Sequence, residues 1–395
     1  MAMPVDEAAA QILDAIPPLQ PIDLPLAEAY GCVAATDVIT EYDIPPFSAA
    51  EVDGFAARSA DIVAAAPGSP ASLRLVGRSV LGRPPEVTVG WGEAVRVVTG
   101  APMPAGADCV VPSTMATAEG EMAVVGSPVA AGSNISPAGE DLKAGSTLVP
   151  AGRRLSAPEL GLLATAGFGS VPAYPRLRVG VLAVGELVEP GRPSGFGQVR
   201  DAVSYLLLGA VRDVGAVPYR IGIVRQADAR EAVLSNTLRV DAFVVAAGPA
   251  GSAGPLGGFG DLRTIDIAVN PGSQVTFGTV EGRPFFWVSD KPLAAFVSFE
   301  LFVRPGLLRM MGRRDLKRPE VAAVLDEAVR GPADVAMFVP ARMAHRDGAW
   351  HARPTGPVVE GHLGSLVEAN ALVALPSGGA PSGQVRVRVL RPLER

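Results

Sequence analysis

The sequence predicts a multidomain α/β plus β chain, and three observations carry that prediction. Residues 175–316 alternate apolar strand-like runs with amphipathic helical runs, the pattern of a parallel sheet with helices on both faces. Residues 70–130 are short, Val-rich segments broken by Gly and Pro, which reads as a small all-β unit. Short strands return after residue 317. A chain of 395 residues with 48% hydrophobic but only 5% aromatic side chains can bury several separate cores, built of small aliphatics.

The elements follow in order. VDEAAAQILDAI at 5–16 has helical periodicity, with Val5, Ala9, Ile12 and Ile16 on one face, and Pro17 and Pro18 stop it. Residues 20–40 read as extended pieces broken by Pro25 and Gly31. SAPELGLLATAG, from Ser156, predicts a short helix: Ser156 suits the cap, Pro158 the first turn, Glu159 the capping box and Gly167 the stop. Then RLRVGVLAVG, VPYRIGIV, DAFVVAAG and FFWVSD predict strands. DAVSYLLLGAVRDVG and ADAREAVLSNTLR predict helices, and KPLAAFVSFELFVRPGLLRMMG a helix interrupted at Pro305. PEVAAVL, VAMFVPARM and QVRVRVLRPL predict the strands of a final β domain. In α/β sheets of this kind, ligands bind beyond the C-terminal ends of the strands.

Composition excludes several classes. No run reaches the ~18–20 apolar residues of a membrane helix. The first ten residues carry Asp6 and Glu7 and no basic start, unlike a signal peptide. Cys32 and Cys109 stand far apart, as buried small hydrophobes rather than a disulfide or metal pair. His345, His351 and His362 lack zinc-ligand spacing. A cytoplasmic protein is expected. Residues 1–175 hold 8 basic and 19 acidic side chains, whereas the remainder is net positive by 5. The basic run Arg304–Arg318 has no aromatic interleaving, so it reads as a helix end and linker, not a nucleic-acid face.

The chemistry-bearing strings are concentrated in the first half. They are IPPFSAAEVDGFAAR, VRVVTGAPMPAGADCVV and NISPAGEDLKAGSTLVPAGRRL, with GSLVEANALVALP near the C-terminus. Taken alone, Asp53-Gly54 and Gly100-Ala101-Pro102 also suit plain turns. Together, from about residue 4 to residue 392, they resemble the MoeA/gephyrin E-domain family. That resemblance implies an elongated subunit with a central MogA-like parallel α/β domain, a small inserted β domain and a C-terminal β domain. The implied boundaries are 1–54 with 136–174, 55–135, 175–316 and 317–395. It implies molybdenum insertion into adenylylated molybdopterin at a site shared between two subunits. Carried onto this chain, Asp53, Thr99, Asp141, Glu186 and Asp201 become the catalytic positions. Asp53, Asp141 and Glu186 become metal positions, and Asp108, Asn134 and Glu140 also match. Mg²⁺ suits such carboxylates, because it takes one or two of them together with phosphate oxygens.

The central segment departs from the family pattern. The family's TGDEL becomes VGEL at Val184–Leu187, and GQIxDSNS becomes GQVRDAVS. TTGGVSVGDYD becomes AAGPAGSAGPLGG at 246–258, leaving Gly248, Gly251 and Ser252 as cofactor-binding candidates. KxAxKPGKP becomes DIAVNPGSQ, so Asp266, Asn270 and Ser273 stand where lysines are expected. LPGNPVSA becomes VSDKPLAA, placing Ser289, Asp290 and Lys291 there. Asn270 and Lys291 complete the cofactor-binding candidates. A phosphorylated substrate needs fixed positive charge and backbone amides. One lost contact of ~1.5–3 kcal/mol weakens binding roughly tenfold to more than a hundredfold.

The expectation is therefore a catalytically impaired, gephyrin-like dimer acting as a protein-binding scaffold. By resemblance, its partner is an acidic peptide tail, such as that of the division GTPase FtsZ, in the groove beside the C-terminal domain. The alternative is an active, Mg²⁺-dependent molybdopterin molybdenumtransferase using molybdate. A third reading is an enzyme on another phosphorylated small molecule.

Overall fold

The computed structural model describes residues 2–248 and 260–391. Its contacts divide into two units: 1–36, 151–156 and 170–395 form one, 37–150 and 157–169 the other.

The larger unit is built on a six-stranded sheet. Its strands are β1 (Arg178–Val184), β2 (Val217–Val224), β3 (Ala242–Ala247), β4 (Asp261–Asp266), β5 (Gln274–Val280) and β6 (Arg283–Ser289). The spatial order is β2-β1-β3-β6-β5-β4. The first four are parallel, as the sequence predicts. β5 and β4 are antiparallel, so the expected all-parallel sheet is in fact mixed. The sequence reading missed this pair. Its β5–β6 turn uses Glu281 and Gly282, both at positive φ, rather than the Asn-Gly or Asp-Gly that usually signals a two-residue hairpin.

Strict alternation buries both faces of β1, β3 and β6, whereas β2 lies at the edge and is only part-buried. Val179 and Val181 of β1, Val244 and Ala246 of β3, and Phe286 and Val288 of β6 pack into one core. Helices Val5–Asp14 and Val203–Val214 contribute Ala8, Ile12, Leu207 and Val211 to that core. The alternate residues Leu182, Val184, Phe243, Val245, Phe285 and Trp287 face the other core, under helix Ala229–Leu234. Gly215, at φ 93°, ends Val203–Val214 in the left-handed conformation that glycine adopts freely.

Two helices differ from expectation. ADAREAVLSNTLR gives only a 3₁₀ turn and the six residues Ala229–Leu234. Beyond them the Ser235 hydroxyl, Asn236 amide and Thr237 hydroxyl donate to the carbonyls of Ala232 and Leu234, and such local bonds compete with the helical ladder. The long helix is not broken at Pro305. It runs as Pro292–Ser298, a π turn at Phe299–Val303 and Arg304–Met310. Proline has no N–H for the carbonyl four residues back, and the wide turn accommodates that loss upstream. The basic run has a structural use. Arg318 clamps the buried Glu300 carboxylate through two bonds of 2.9 and 2.7 Å, and Arg304 lies 3.8 Å from it.

The C-terminal strands Glu320–Leu325, Ala336–Arg346, Ala349–Pro354, Ala371–Leu375 and Gly383–Val389 close into a ring. Closure leaves no free edge within the ring. Val269–Asn270 joins it alongside Ala336–Met337.

The smaller unit carries the expected all-β sheet. Its order is Cys109–Pro112, Gly54–Ala57, Glu93–Val97, Ala71–Ser79, Met122–Val125 and Ala116–Glu119. Phe55, Cys109 and Val111 face one core, and Ala56 and Val110 the other. The predicted helix after Ser156 is Ala157–Thr165. Among the described residues no helix is long and apolar enough to cross a membrane.

Candidate functional site

In the smaller unit the Asp-Gly pair and the TGAP string meet. Strand Gly54–Ala57 runs so close to its neighbour that a Cβ on Gly54 would lie 2.0 Å from the Val111 carbonyl oxygen. That contact requires glycine and sets Asp53 at the strand's mouth. The Thr99 backbone N–H and hydroxyl both donate to Asp53 Oδ1, at 2.7 and 2.9 Å. The backbone N–H first, and the hydroxyl second, hold the Asp53 carboxyl below its ordinary value. Both donors use one oxygen, which leaves Oδ2 for another ligand.

The other matched positions here divide into presented and structural. Asp141 is exposed on the turn that follows Gly139. That turn is braced by Asp43, whose Oδ1 accepts the Ala144 N–H at 2.9 Å and whose Oδ2 lies 3.5 Å from Lys143 Nζ. The Ala144 bond is the main reason the Asp43 carboxyl sits below its ordinary value. Asp108 binds the Ser59 N–H and hydroxyl, and Asn134 donates to the Val110 carbonyl. Both are structural.

In the larger unit, Glu186 is exposed just beyond the C-terminal end of β1. Asp201 is not presented to a ligand. It is buried, accepts the Ser204 N–H at 3.0 Å and the Ser204 hydroxyl, and so caps helix Val203–Val214. Arg220 approaches it at 3.9 Å while bonding Glu189 at 2.6 Å. Glu189 also accepts the Tyr205 hydroxyl. Arg220 first, then Tyr205, keep the Glu189 carboxyl below its ordinary value. Both Asp201 oxygens are thus engaged by Ser204, which ties the residue to the start of that helix. Among the described residues no three His, Cys, Asp or Glu side chains gather into a metal site.

A pocket of about 230 Å³ opens at the C-terminal ends of β3 and β6, where the sheet topology places ligands. Gly248 and Lys291 line it, as the sequence predicts, together with Asp266, Ser273, Asp290 and Glu360. Asn270 does not line it, being paired by its backbone to the barrel strand. Gly251 and Ser252 lie outside the described residues. Glu360 was invisible to sequence reasoning, since it lies 69 residues from its partner Lys291. Among the described residues the lining carries three carboxylates against one ammonium, an excess of negative charge that disfavours a phosphate. Trp287 Nε1 donates to the Gly248 carbonyl at 3.2 Å.

Comparison with known proteins agrees with this layout. The MoeA N-terminal region (domain I and II) matches residues 3–167, and the MoeA C-terminal region (domain IV) matches 322–386. Molybdopterin molybdenumtransferase 2 of Mycobacterium tuberculosis is 32% identical over 371 residues, covering 90% of this chain and 91% of that protein. The chain belongs to the MoeA family. Molybdopterin molybdenumtransferase 1 of the same organism is 35% identical over 410 residues, covering 95% of each chain. The crystal structure of a molybdopterin biosynthesis MoeA protein from Pyrococcus horikosii superposes with a TM-score of 0.83 at 26% identity, over 99% of this chain and 100% of that one. The mixed α/β sheet flanked by β-rich parts is thus the MoeA fold.

Proposed function

We propose that this MoeA-family chain acts in molybdenum-cofactor synthesis as a molybdopterin molybdenumtransferase, joining molybdate to adenylylated molybdopterin. The Asp53–Thr99 pair carries this reading. It is a carboxylate kept ionised by two donors, with one oxygen free, in a chain whose relatives across nine-tenths of its length bear that name. Mg²⁺ fits there, since Asp53 Oδ2 supplies one carboxylate oxygen and phosphate oxygens of the substrate supply others. When bound, the ion would neutralise phosphate charge. Asp141 and Glu186, both exposed, are the remaining carboxylates in this proposal. A homodimer is part of it, because the family's site is shared between subunits.

The test is cofactor formation from adenylylated molybdopterin, molybdate and Mg²⁺ by the purified chain. Turnover comparable with a standard family member supports the reading, and its absence sinks it.

One observation favours a second reading, a dimeric scaffold that has lost turnover. The central pocket holds Asp266, Asp290 and Glu360 against a single lysine. The scaffold's docking groove would be the one lined by Tyr205, Leu206, Phe296, Arg318, Leu366 and Arg391, with an acidic FtsZ-like tail as the occupant. Calorimetry with that tail as a peptide tests it, and no binding at micromolar concentration would overturn it.

A further inference from the structure

We infer that Glu360 is the specificity-determining residue of the central pocket, an internal anion that occupies the groups a phosphate would need. Two pocket features can meet an anion. One is Lys291, the single cation among the described lining residues. The other is the start of the helix at Pro292, where the first backbone N–H groups have no helical acceptor. Glu360 takes both. Its carboxylate lies 3.1 Å from Lys291 Nζ, and its own carbonyl oxygen accepts the Leu293 N–H at 2.8 Å. The residue reaches the pocket from the segment after the barrel strand Ala349–Pro354, far away in sequence.

The plug is displaceable. The Lys291 and Glu360 side chains are 56% and 40% exposed, and an ion pair in such surroundings is held weakly. An incoming phosphate must nevertheless compete for Lys291 while meeting the carboxylates of Asp266 and Asp290. Glu360 therefore sets the pocket against phosphate-bearing ligands by occupying their partner as well as by adding charge. The Glu360→Gln variant keeps the backbone carbonyl and the side-chain shape and removes only the charge.

This inference rests on the reading that the pocket meets a phosphorylated ligand. The probe is inorganic pyrophosphate, titrated calorimetrically into the full chain at low salt. Glu360→Gln is expected to bind it about five- to tenfold more tightly than the wild type. Lys291→Ala added to Glu360→Gln is expected to abolish that gain. Asp290→Asn, which removes one charge but leaves the Lys291–Glu360 pair in place, is expected to give a smaller gain. Glu360→Ala serves as a second variant, and circular dichroism verifies the fold of each. Unchanged pyrophosphate affinity in both Glu360 variants overturns the inference, as does a gain that survives Lys291→Ala or is matched by Asp290→Asn. Failure of the transferase reading shows separately, as absent turnover by the wild-type chain.

Discussion

The Asp53–Thr99 turn and the central pocket are both built from strings at recognisable places in the sequence, yet they differ in kind. In the smaller unit Asp53 and Asp43 each have a backbone donor aimed at them, from Thr99 and Ala144. At the pocket, acidic groups crowd around one lysine that already has a partner. The first arrangement favours charge awaiting a cation. The second disfavours an anion. The two arrangements differ in sign, and each sits on a unit held by its own apolar cores.

The largest expected effect separates scaffold from site. Phe243 is fully buried between β1 and β6, so Phe243→Ala should cost about 3–5 kcal/mol in denaturant unfolding. Asp53→Ala should change unfolding far less. It should instead lower turnover by roughly a hundredfold if Asp53 holds a charge-neutralising ion. Equal losses of stability in the two variants would break the distinction.

Next comes the pocket's sign. Asp266→Lys combined with Ser273→Lys should raise pyrophosphate affinity by roughly tenfold, one well-placed charge-assisted contact. No gain would mean that charge is not what the pocket selects against.

A smaller effect is the acid dependence of the turn. The Thr99 donors lower the folded-state value of Asp53 below its ordinary 3.8. Their contribution is thus fully present above that ordinary value and is lost as pH falls through the lower folded one. Thr99→Val removes the hydroxyl donor. It should melt earlier than the wild type near about pH 6 and converge with it under strong acid, below both values. A gap that persists in acid would assign the Thr99 effect to packing.

The smallest is chemical. Burial, and then the neighbouring Asp108, push the Cys109 thiol up to about 12. Iodoacetamide at about pH 8 should leave Cys109 unmodified until the chain unfolds, as read by mass spectrometry, since the thiolate is the reactive form. Rapid labelling of the folded chain would show that the sheet around Ala57 and Cys109 opens readily.

Much of this was legible in the residues. Apolar runs placed β1, β3 and β6, because burial on both faces leaves a continuous signal, and the part-buried edge strand β2 from its own shorter run. The TGAP and Asp-Gly strings singled out Asp53 and Thr99 by resemblance, and the structure showed that the two are in contact. Antiparallel β4 and β5 were not legible, since Gly278 and the Glu281-Gly282 turn dilute the strand signal. That Asp201 is buried and bonded to Ser204 was not legible either, because a capping aspartate and a ligand aspartate look alike in a string.

The sequence by itself determined the order of the elements, the family and the scarcity of lysine near the central strands. These depend on local periodicity and composition, which a chain carries whether or not it is folded. Only the tertiary structure decided which charges meet. Glu360 reaches Lys291 across 69 residues of chain, and Arg318 reaches Glu300 across 18. Coulomb and hydrogen-bond energies depend on distance in space, and separation along the chain does not report it.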